Sequence, residues 1–254
     1  MLALAMLAVN PEGTTVPDAL DALLRDLVIA NRILAREKVV DDFGHVSARD
    51  PTDPRFFWLS RSRSPELVER EDLIRFDLDG VPQDAGHRKP YLETILHARI
   101  YAARPDVNAI VHHHARAVLP FTILPIPLRP VFHLGALIGP DVPVWDSRPE
   151  FGDTALIVDT APMADSLART LGERPCALLA RHGAVCAEAD LKRVVFTAIY
   201  MAENAALQMA ALAHGTPDYL TEGEIARTRA MQFGERPLLR AWAYRAARAG
   251  FGGL

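Results

Sequence analysis

Cysteine is scarce in this chain, with 2 among 254 residues, Cys176 and Cys186. Neither has a second cysteine at the spacing of a zinc ribbon or of a redox-active dithiol, so the common cysteine-based metal and redox motifs are excluded. The simplest interpretation is two reduced, largely buried thiols. Because reduced thiols are typical of the cytosol, we expect a cytoplasmic protein.

An excess of positive charge is also missing. Charged residues make up 24% of the chain, and the formal net charge is -4. This balance leaves no broad basic surface that could release counterions from a nucleic-acid backbone. We therefore expect no nucleic-acid partner and a small-molecule ligand instead.

Long hydrophobic runs are absent from the sequence. The first residues, "MLALAMLAV", are apolar for nine positions, which is too short to span a bilayer. They lack a positively charged start and a small-residue cleavage pattern. An N-terminal extension over residues 1–15 therefore fits them better than a signal sequence, which stays the alternative. No later stretch has the pattern of a transmembrane helix, and we expect no membrane partner.

Half of the residues are hydrophobic, which suffices for one sizeable core in a chain of this length. We expect a single α/β domain over residues 1–254 rather than two small domains. Its elements follow from apolar periodicity and turn residues. The patterns predict helices at about 14–40, 90–104, 161–172 and 191–213, strands at about 41–50, 55–64, 73–83, 108–114 and 176–187, and a helical, arginine-rich tail at 217–254.

The connection between the fourth and fifth predicted strands is rich in proline, "LPFTILPIPLRPVFHLGALIGPDVPVW". Proline lacks the amide hydrogen that helices and central strands need. We therefore expect no helix in this connection. Short edge strands or a long functional loop are the two interpretations that fit it.

Three consecutive histidines, His112, His113 and His114, end the segment "NAIVHHH". Successive side chains of a strand point to opposite faces, so His112 and His114 share a face and His113 points away. Two imidazoles are not a stable divalent-metal site, which needs three or four protein ligands. His182, at a His-Gly turn after a strand, is a third candidate, and Glu93 near a helix start is a fourth. A hydrogen-bonded polar strand end without metal is the alternative.

Taken together, these motifs resemble the class II aldolase and adducin family. The family has a glutamate at the position of Glu93, followed here by His97. Its "Y..RPD...VVH.H" segment is matched by "YAARPDVNAIVHHH", and its third histidine, which precedes glycine, is matched in "LLARHGAV". The step of nineteen residues from Glu93 to His112 also matches. "GHVSARD" stands where the family has Gly-Asn-x-Ser-x-Arg. The resemblance covers roughly residues 20–210.

The resemblance implies a metal-dependent enzyme. It implies that His112, His114 and His182 bind one divalent metal ion per chain and that Glu93 is the catalytic acid or base. Such a donor set accepts zinc, manganese, cobalt or iron. The implied fold is a three-layer α/β/α domain with a largely antiparallel central sheet. The implied assembly is a homotetramer with sites between subunits, and the apolar helix before Gly215 also favours a homo-oligomer.

The predicted substrate pocket departs from the sugar-phosphate aldolases of the family. His45 replaces the asparagine of the Gly-Asn turn, and "HRKPYL" precedes Glu93 where those aldolases have phosphate-binding serines. Instead, "LSRSRSPELV" supplies Arg61 and Arg63, whose guanidinium groups suit planar carboxylates. Solvated surface arginines are the alternative. These segments resemble the branch that decarboxylates hydroxylated aromatic dicarboxylates, such as 3,4-dihydroxyphthalate decarboxylase and hydroxymethylpyridine-dicarboxylate decarboxylase.

We therefore predict a metal-dependent decarboxylase acting on a small aromatic, dihydroxyphthalate-like dicarboxylate. Direct loss of carbon dioxide would leave an aryl carbanion whose lone pair lies in the ring plane, so Glu93 is predicted to protonate the ring carbon first. The predicted substrate contacts are His45, Ser60, Arg61, Arg63 and His133. For His133, a loop histidine bonded to backbone is the alternative.

Two other functions stay open on the sequence. One is a class II aldolase that cleaves a phosphorylated sugar or a hydroxy acid. The other is a non-catalytic, adducin-like interaction protein, against which the intact Glu93 and the three histidines argue. Carbon dioxide release and aldehyde formation distinguish the first two enzymes.

Overall fold

A computed structural model describes residues 16–252 of the protein, and the extension predicted for residues 1–15 lies outside this range. The strands are β1 (His45–Arg49), β2 (Phe56–Ser60), β3 (Leu73–Asp77), β4 (Ala109–His113), β5 (Val144–Trp145), β6 (Cys176–Leu179) and β7 (Gly183–Glu188). The helices are α1 (Val16–Arg36), α2 (Thr94–Ala103), α3 (Leu119–Ile123), α4 (Arg148–Phe151), α5 (Ala161–Leu171), α6 (Leu191–Leu212), α7 (Glu222–Gln232) and α8 (Glu235–Arg248). Short 3-10 turns cover Pro65–Leu67, Arg70–Asp72 and His133–Ile138.

The strands form one seven-stranded sheet in the order β3-β2-β1-β4-β7-β6-β5. Every neighbouring pair is antiparallel except β5 and β6. In the centre, His45 of β1 pairs with His112 of β4, which in turn pairs with Val185 of β7. The sheet therefore places the histidine-bearing strands side by side, and the predicted largely antiparallel sheet is confirmed.

Helices cover both faces of this sheet. Because side chains alternate along a strand, Val111 of β4 points into a core shared with α1 and α6, whereas its neighbour Ile110 points into a core shared with α2 and α5. β6 shows the same alternation, with Leu178 on the first side and Leu179 on the second. The predicted three-layer α/β/α arrangement is confirmed.

The proline-rich connection differs from its prediction in one respect. It contains the short helix α3 and the 3-10 turn His133–Ile138, where we expected no helix. Pro120 lies in the first turn of α3, a position where the missing amide hydrogen has no intrahelical partner to lose. The predicted short edge strand is present as β5, which pairs only with β6.

α6 holds much of this connection in place. The Asn204 side chain accepts from the Val131 amide at 2.9 Å and donates to the Arg129 carbonyl at 2.8 Å. Gln208 accepts from the Arg129 amide at 3.0 Å and donates to the Pro127 carbonyl at 2.8 Å. Loop backbone groups that no strand pairs are thus satisfied by two buried amides.

By length and apolar composition, α6 is the one described helix that could cross a membrane, which differs from the sequence expectation. However, 56% of its most apolar window is buried inside the protein, and its two amide side chains are bonded to the connection. Its apolar composition is therefore that of a core helix.

The segment "CALLARHGAVCA" forms a hairpin rather than a single strand. β6 and β7 pair through it, with Cys176 opposite Cys186, and His182 lies in the turn. After α6, the tail forms α7 and α8, which pack on the same chain. Arg245 of α8 binds Glu37, just after α1, at 2.5 Å.

Candidate metal centre

Four side chains from three segments meet at one end of the sheet. His112 belongs to β4, His114 follows directly after it, and His182 lies in the turn between β6 and β7. Because β4 pairs with β7, that turn lies beside the end of β4. Glu93 immediately precedes α2. One ligand atom from each of these four residues lies within 4.8 Å of the other three.

Gly183 permits the close approach of the turn to the end of β4. A Cβ atom at this position would lie 2.8 Å from Cδ2 of His114 and would also meet the backbone of His113. A larger residue would therefore push the two strands apart. This steric limit explains why glycine follows His182.

The ring nitrogens that face one another in the cluster are the Nε2 atoms. Nε2 of His114 lies 3.0 Å from Nε2 of His112 and 3.1 Å from Nε2 of His182. On the other side of the rings, Nδ1 of His112 faces the Ala184 carbonyl and Nδ1 of His114 faces a carboxylate oxygen of Asp41, both at 3.1 Å.

These contacts fix where the protons lie. A carbonyl and a carboxylate can only accept, so the neutral rings of His112 and His114 carry their protons on Nδ1 and present lone pairs at Nε2. Lone pairs separated by 3.0 Å repel each other unless a cation lies between them. The donor set, with outer acceptors that orient the rings, therefore fits a divalent metal ion.

Glu93 reaches the same cluster. Its Oε2 atom lies 3.4 Å from Nε2 of His112, and its Oε1 atom accepts a hydrogen bond from the Val158 amide at 3.1 Å. Burial by itself raises the pKa of Glu93, but the neighbouring His112 and His45 outweigh it and hold the pKa below its usual range. Glu93 is therefore a carboxylate at neutral pH.

Burial also favours the neutral form of two imidazoles in the cluster, those of His182 and His114. Burial and the neighbouring His112 lower the pKa of His182 to about 4. Burial, again with His112, lowers the pKa of His114, although Asp41 opposes this shift. Neutral imidazole is the form that binds metal, so the lowered pKa values of His114 and His182 favour metal binding.

His45 lies beside the cluster. Its Nε2 atom is 3.8 Å from Oε2 of Glu93, and its ring centroid is 5.0 Å from that of His112. Its Nδ1 atom lies 2.7 Å from Nε2 of His97. The sequence pattern included His97 without giving it a role, and the contact with His45 supplies one.

The arginines predicted for the substrate lie in a different cavity. Arg61 and Arg63 bind the buried carboxylate of Asp72 at 2.6 and 2.7 Å. The cavity beside them measures about 610 Å³, and its lining includes Arg61, Ser62, Asp72, Arg88 and Lys89 but none of the four clustered residues. The structure therefore does not bring the two arginines into direct contact with the metal cluster.

Tyr91 connects this arginine segment to the metal centre. Its ring lies 4.6 Å from the ring of His45. Its hydroxyl donates to the Arg63 carbonyl and lies 3.4 Å from Oγ of Ser60, which is buried. Tyr91 therefore contacts both the arginine segment and His45 beside the metal centre. The spacing of residues in the sequence did not indicate this connection.

His133 is exposed and stands apart from these groups. It begins a 3-10 turn, and its Nε2 atom lies 3.1 Å from Nε2 of Gln232 in α7. In the described chain it contacts a side chain rather than backbone. Its predicted role in substrate binding stays a prediction.

The metal cluster opens into a cavity of about 340 Å³, lined among others by Phe43, Glu93, Leu156, Arg181 and His182. Phe43 is 72% exposed, although it is a large apolar residue. Leu156 and Arg181 both have a φ angle of 64°, a strained conformation for residues with a Cβ. Such strain clusters at functional sites, and the sequence analysis missed all three of these residues.

Comparison with known proteins shows the family of this chain. The family described as Class II Aldolase and Adducin N-terminal domain matches residues 25–209. The decarboxylase tropJ from Talaromyces stipitatus is 28% identical over 247 residues, which cover 86% of this chain and 91% of that protein. A 3,4-dihydroxyphthalate decarboxylase from Arthrobacter keyseri is 28% identical over 194 residues, covering 72% of this chain and 76% of the relative.

Similarity of fold extends to solved structures. An L-fuculose 1-phosphate aldolase from Glaciozyma antarctica superimposes with a TM-score of 0.76 at 23% identity. The superposition covers 94% of this chain and 93% of the aldolase.

Proposed function

Because this chain belongs to the class II aldolase and adducin N-terminal domain family, we propose that it is a metal-dependent decarboxylase of hydroxylated aromatic dicarboxylates. The observation that carries the proposal is the convergence of three Nε2 atoms and one carboxylate beside a cavity of about 340 Å³. This volume suits a small ligand. The similarity to a 3,4-dihydroxyphthalate decarboxylase supports the substrate class.

His112, His114 and His182 would hold the metal, with Glu93 at its edge. The bound ion would polarise the substrate oxygens and stabilise negative charge on them during the reaction. The donor set accepts zinc, manganese, cobalt or iron, and we propose one ion per chain.

Glu93 moves the proton in the proposed reaction. Its carboxylate accepts the proton of a substrate phenol and then donates it to the ring carbon that bears the leaving carboxylate, ortho or para to that phenol. The bond from this carbon to the carboxylate then breaks, and its electron pair returns to the ring. Carbon dioxide leaves, the ring becomes aromatic again, and the phenolate takes a proton from water.

Arg61 and Arg63 are proposed to bind the second carboxylate of the substrate. Each uses a single nitrogen to reach Asp72, Nε of Arg61 and Nη1 of Arg63. Within residues 16–252 their remaining guanidinium nitrogens make no hydrogen bond, so they can donate to a planar anion. Ser60 and His45 lie on the two sides of Tyr91, between these arginines and the metal centre.

We propose a homotetramer in the cytoplasm as the working form. The buried cysteines support the location, because Cys176 and Cys186 are unbonded with their sulfur atoms 3.5 Å apart. Exposed apolar residues such as Leu92, which is 74% exposed beside Glu93, support an assembly that covers them. Light scattering tests the assembly, and an active monomer at micromolar concentration would contradict it.

The decisive experiment compares two products. Purified, metal-loaded protein is incubated with a dihydroxyphthalate and, separately, with a sugar phosphate such as fuculose 1-phosphate. We expect carbon dioxide from the aromatic diacid and no aldehyde from the sugar phosphate. Rapid aldehyde formation with an inert diacid would replace the decarboxylase by an aldolase.

A further inference from the structure

A buried row of polar side chains runs from the metal centre into the layer between β1 and α2. In β1, His45 and Ser47 are two residues apart and so point to the same side. Beside them, Glu93, His97 and Tyr101 are spaced by four residues and share one face of α2. Side chains from β1 and α2 therefore alternate along the row, in the order His45, His97, Ser47 and Tyr101.

Short contacts join the row. Nδ1 of His45 lies 2.7 Å from Nε2 of His97, and Nδ1 of His97 lies 2.7 Å from Oγ of Ser47. Oγ of Ser47 lies 2.8 Å from the hydroxyl of Tyr101. These four residues are at most 1% exposed. Water therefore does not compete for these hydrogen bonds.

The far end of the row sets its direction. In residues 16–252, Ser47 is the one hydrogen-bond partner of the Tyr101 hydroxyl. The nearest charged group is Arg49, whose guanidinium lies 4.7 Å from the Tyr101 ring centroid and has no acceptor to offer. The Tyr101 proton must therefore go to Ser47, because a buried hydroxyl without an acceptor is costly.

The direction of each remaining hydrogen bond in the row follows from the bond that Tyr101 donates to Ser47. Ser47 accepts from Tyr101 and so donates to Nδ1 of His97. His97 then carries its proton on Nε2 and donates it to Nδ1 of His45. With Nδ1 occupied as an acceptor, the proton of His45 lies on Nε2, the atom that faces Oε2 of Glu93 at 3.8 Å.

The ionisation states are consistent with this direction. Burial raises the pKa of Tyr101, which keeps its hydroxyl protonated. Burial lowers the pKa of His97 well below its usual value, which leaves its ring with one N–H group. Each member therefore has one proton to donate along the row.

We propose that Tyr101, Ser47 and His97 are positioning residues that hold His45 with its proton on Nε2. In this tautomer the Nε2–H group of His45 faces the carboxylate of Glu93 across 3.8 Å, and it cannot join the metal ligands because Nε2 has no lone pair. The inference rests on the proposed roles of the metal centre and of Glu93. It does not depend on which substrate is used.

Nitrogen NMR tests the tautomer without any activity. Histidine labelled with ¹⁵N is incorporated into the protein, measured metal-free and loaded with diamagnetic zinc, and the His45 signals are assigned with a His45→Gln variant. We expect a neutral His45 with the proton on Nε2 in both forms. A proton on Nδ1, or a zinc-bound Nε2, would overturn the proposal.

Variants test whether the row holds the tautomer. Ser47→Ala breaks the row, and Tyr101→Phe, which removes one oxygen only, serves if Ser47→Ala does not fold. We expect the Nδ1–H form of His45 to become populated in either variant. An unchanged His45 spectrum in a folded variant would show that the row does not set the tautomer.

Kinetics separates positioning from mere folding. We expect Ser47→Ala to lower kcat about tenfold, with KM and metal content unchanged, and Tyr101→Phe to add nothing to Ser47→Ala. Ser166→Ala is the matched control, because Ser166 is a buried serine of α5 that accepts from Trp145 and donates to Glu150. A positioning role would be contradicted by additive losses of kcat in the Ser47→Ala/Tyr101→Phe double variant, by loss of metal, or by an equal loss of kcat in the Ser166→Ala control.

If the wild-type protein turns over no aromatic diacid, the proposed function fails. The NMR measurement still decides the tautomer of His45 in that case.

Discussion

Two places in the molecule bring several side chains of one kind close together. One is the candidate metal site, with its three imidazoles, and the other is the arginine cluster, which consists of Arg61 and Arg63. The two differ in what lies between the clustered groups. Arg61 and Arg63 converge on Asp72, whose carboxylate contacts both guanidinium groups. At the metal site, the Nε2 atoms of His112, His114 and His182 converge on one another, with separations of 3.0 and 3.1 Å from His114 to the other two. Only the second arrangement needs a ligand to be stable.

This difference indicates which of the two groups of residues is arranged to bind a ligand. Arg61 and Arg63 are held in place by a carboxylate of the chain, so their position in the structure does not by itself require a substrate. The rings of His112 and His114 are oriented by Ala184 and Asp41, so their Nε2 lone pairs face each other at 3.0 Å, and His182 is brought to them by the turn before Gly183. The following predictions test this contrast, beginning with the largest expected effect.

Removing two imidazoles should abolish metal binding. We expect wild-type protein to contain about one divalent ion per chain and the His112→Ala/His182→Ala double variant to contain none, with turnover lost. Elemental analysis and circular dichroism measure metal and fold. His214→Ala, which removes an exposed histidine after α6, is the control. Full metal occupancy in the double variant would show that the cluster is not the metal site.

Replacing the carboxylate of Glu93 should stop the chemistry while leaving binding intact. The Oε1 atom of a Glu93→Gln side chain can still accept from the Val158 amide, so the fold and the metal should be kept. We expect kcat to fall by about 10²- to 10⁴-fold, the usual contribution of a general acid or base. Turnover within a few-fold of wild type would remove Glu93 from the proton pathway.

Asp41 should tune the metal through His114. Its carboxylate faces Nδ1 of His114 at 3.1 Å, and loss of such outer contacts weakens metal binding by about 10- to 100-fold. We expect this range for Asp41→Asn in a competition titration with a chelator. Asp42→Asn, at the exposed neighbouring position, should bind like wild type. Equal affinities for both variants would mean that Asp41 does not support the site.

Truncating Arg63 tests whether the arginine cluster binds substrate or only supports the structure. If it binds the second carboxylate of the substrate, Arg63→Ala should lower kcat/KM by about 10- to 100-fold, the scale of one charged hydrogen bond. An aromatic acid with a single carboxylate should be insensitive to this change. An equal loss with both substrates would leave Arg63 with a structural role only.

Asp72 should contribute stability at neutral pH. Burial by itself raises its pKa, but the Glu69 amide, Arg61 and Arg63 outweigh it, and the net pKa lies below 3.8. Its stabilising contribution is therefore present above about pH 4 and is lost as the pH falls further. We expect Asp72→Asn to lower the free energy of unfolding by about 1–3 kcal/mol at pH 7. Chemical denaturation measures this loss, and an equal loss at pH 3 would contradict its electrostatic origin.

Much of the secondary structure followed from local patterns. The helix at Ala161–Leu171 and the strand at Ala109–His113 lie within a few residues of their predicted bounds, because apolar periodicity and flanking prolines act locally. The helix α3 was missed because proline at a first turn is compatible with a helix.

The candidate site divides in the same way. Glu93, His112, His114 and His182 could be proposed from residue type, alternation and family spacing. Tyr91, Phe43 and Arg181 could not, since no local pattern relates them to the histidines. The i, i+4 spacing of Glu93, His97 and Tyr101 was a signal in the sequence, but its meaning depends on β1 lying alongside α2.

The sequence by itself determined which side chains share a face, because the periods of strand and helix are properties of the backbone. Pairing His112 with His114 and separating His113 from both needed nothing further. Only the tertiary structure decided which faces meet. The pairing of β4 with β7 brings His182 to the histidines, whereas Asp72 keeps Arg61 and Arg63 in a cavity of their own. Contacts between distant segments depend on packing over the whole sheet, which local periodicity does not encode.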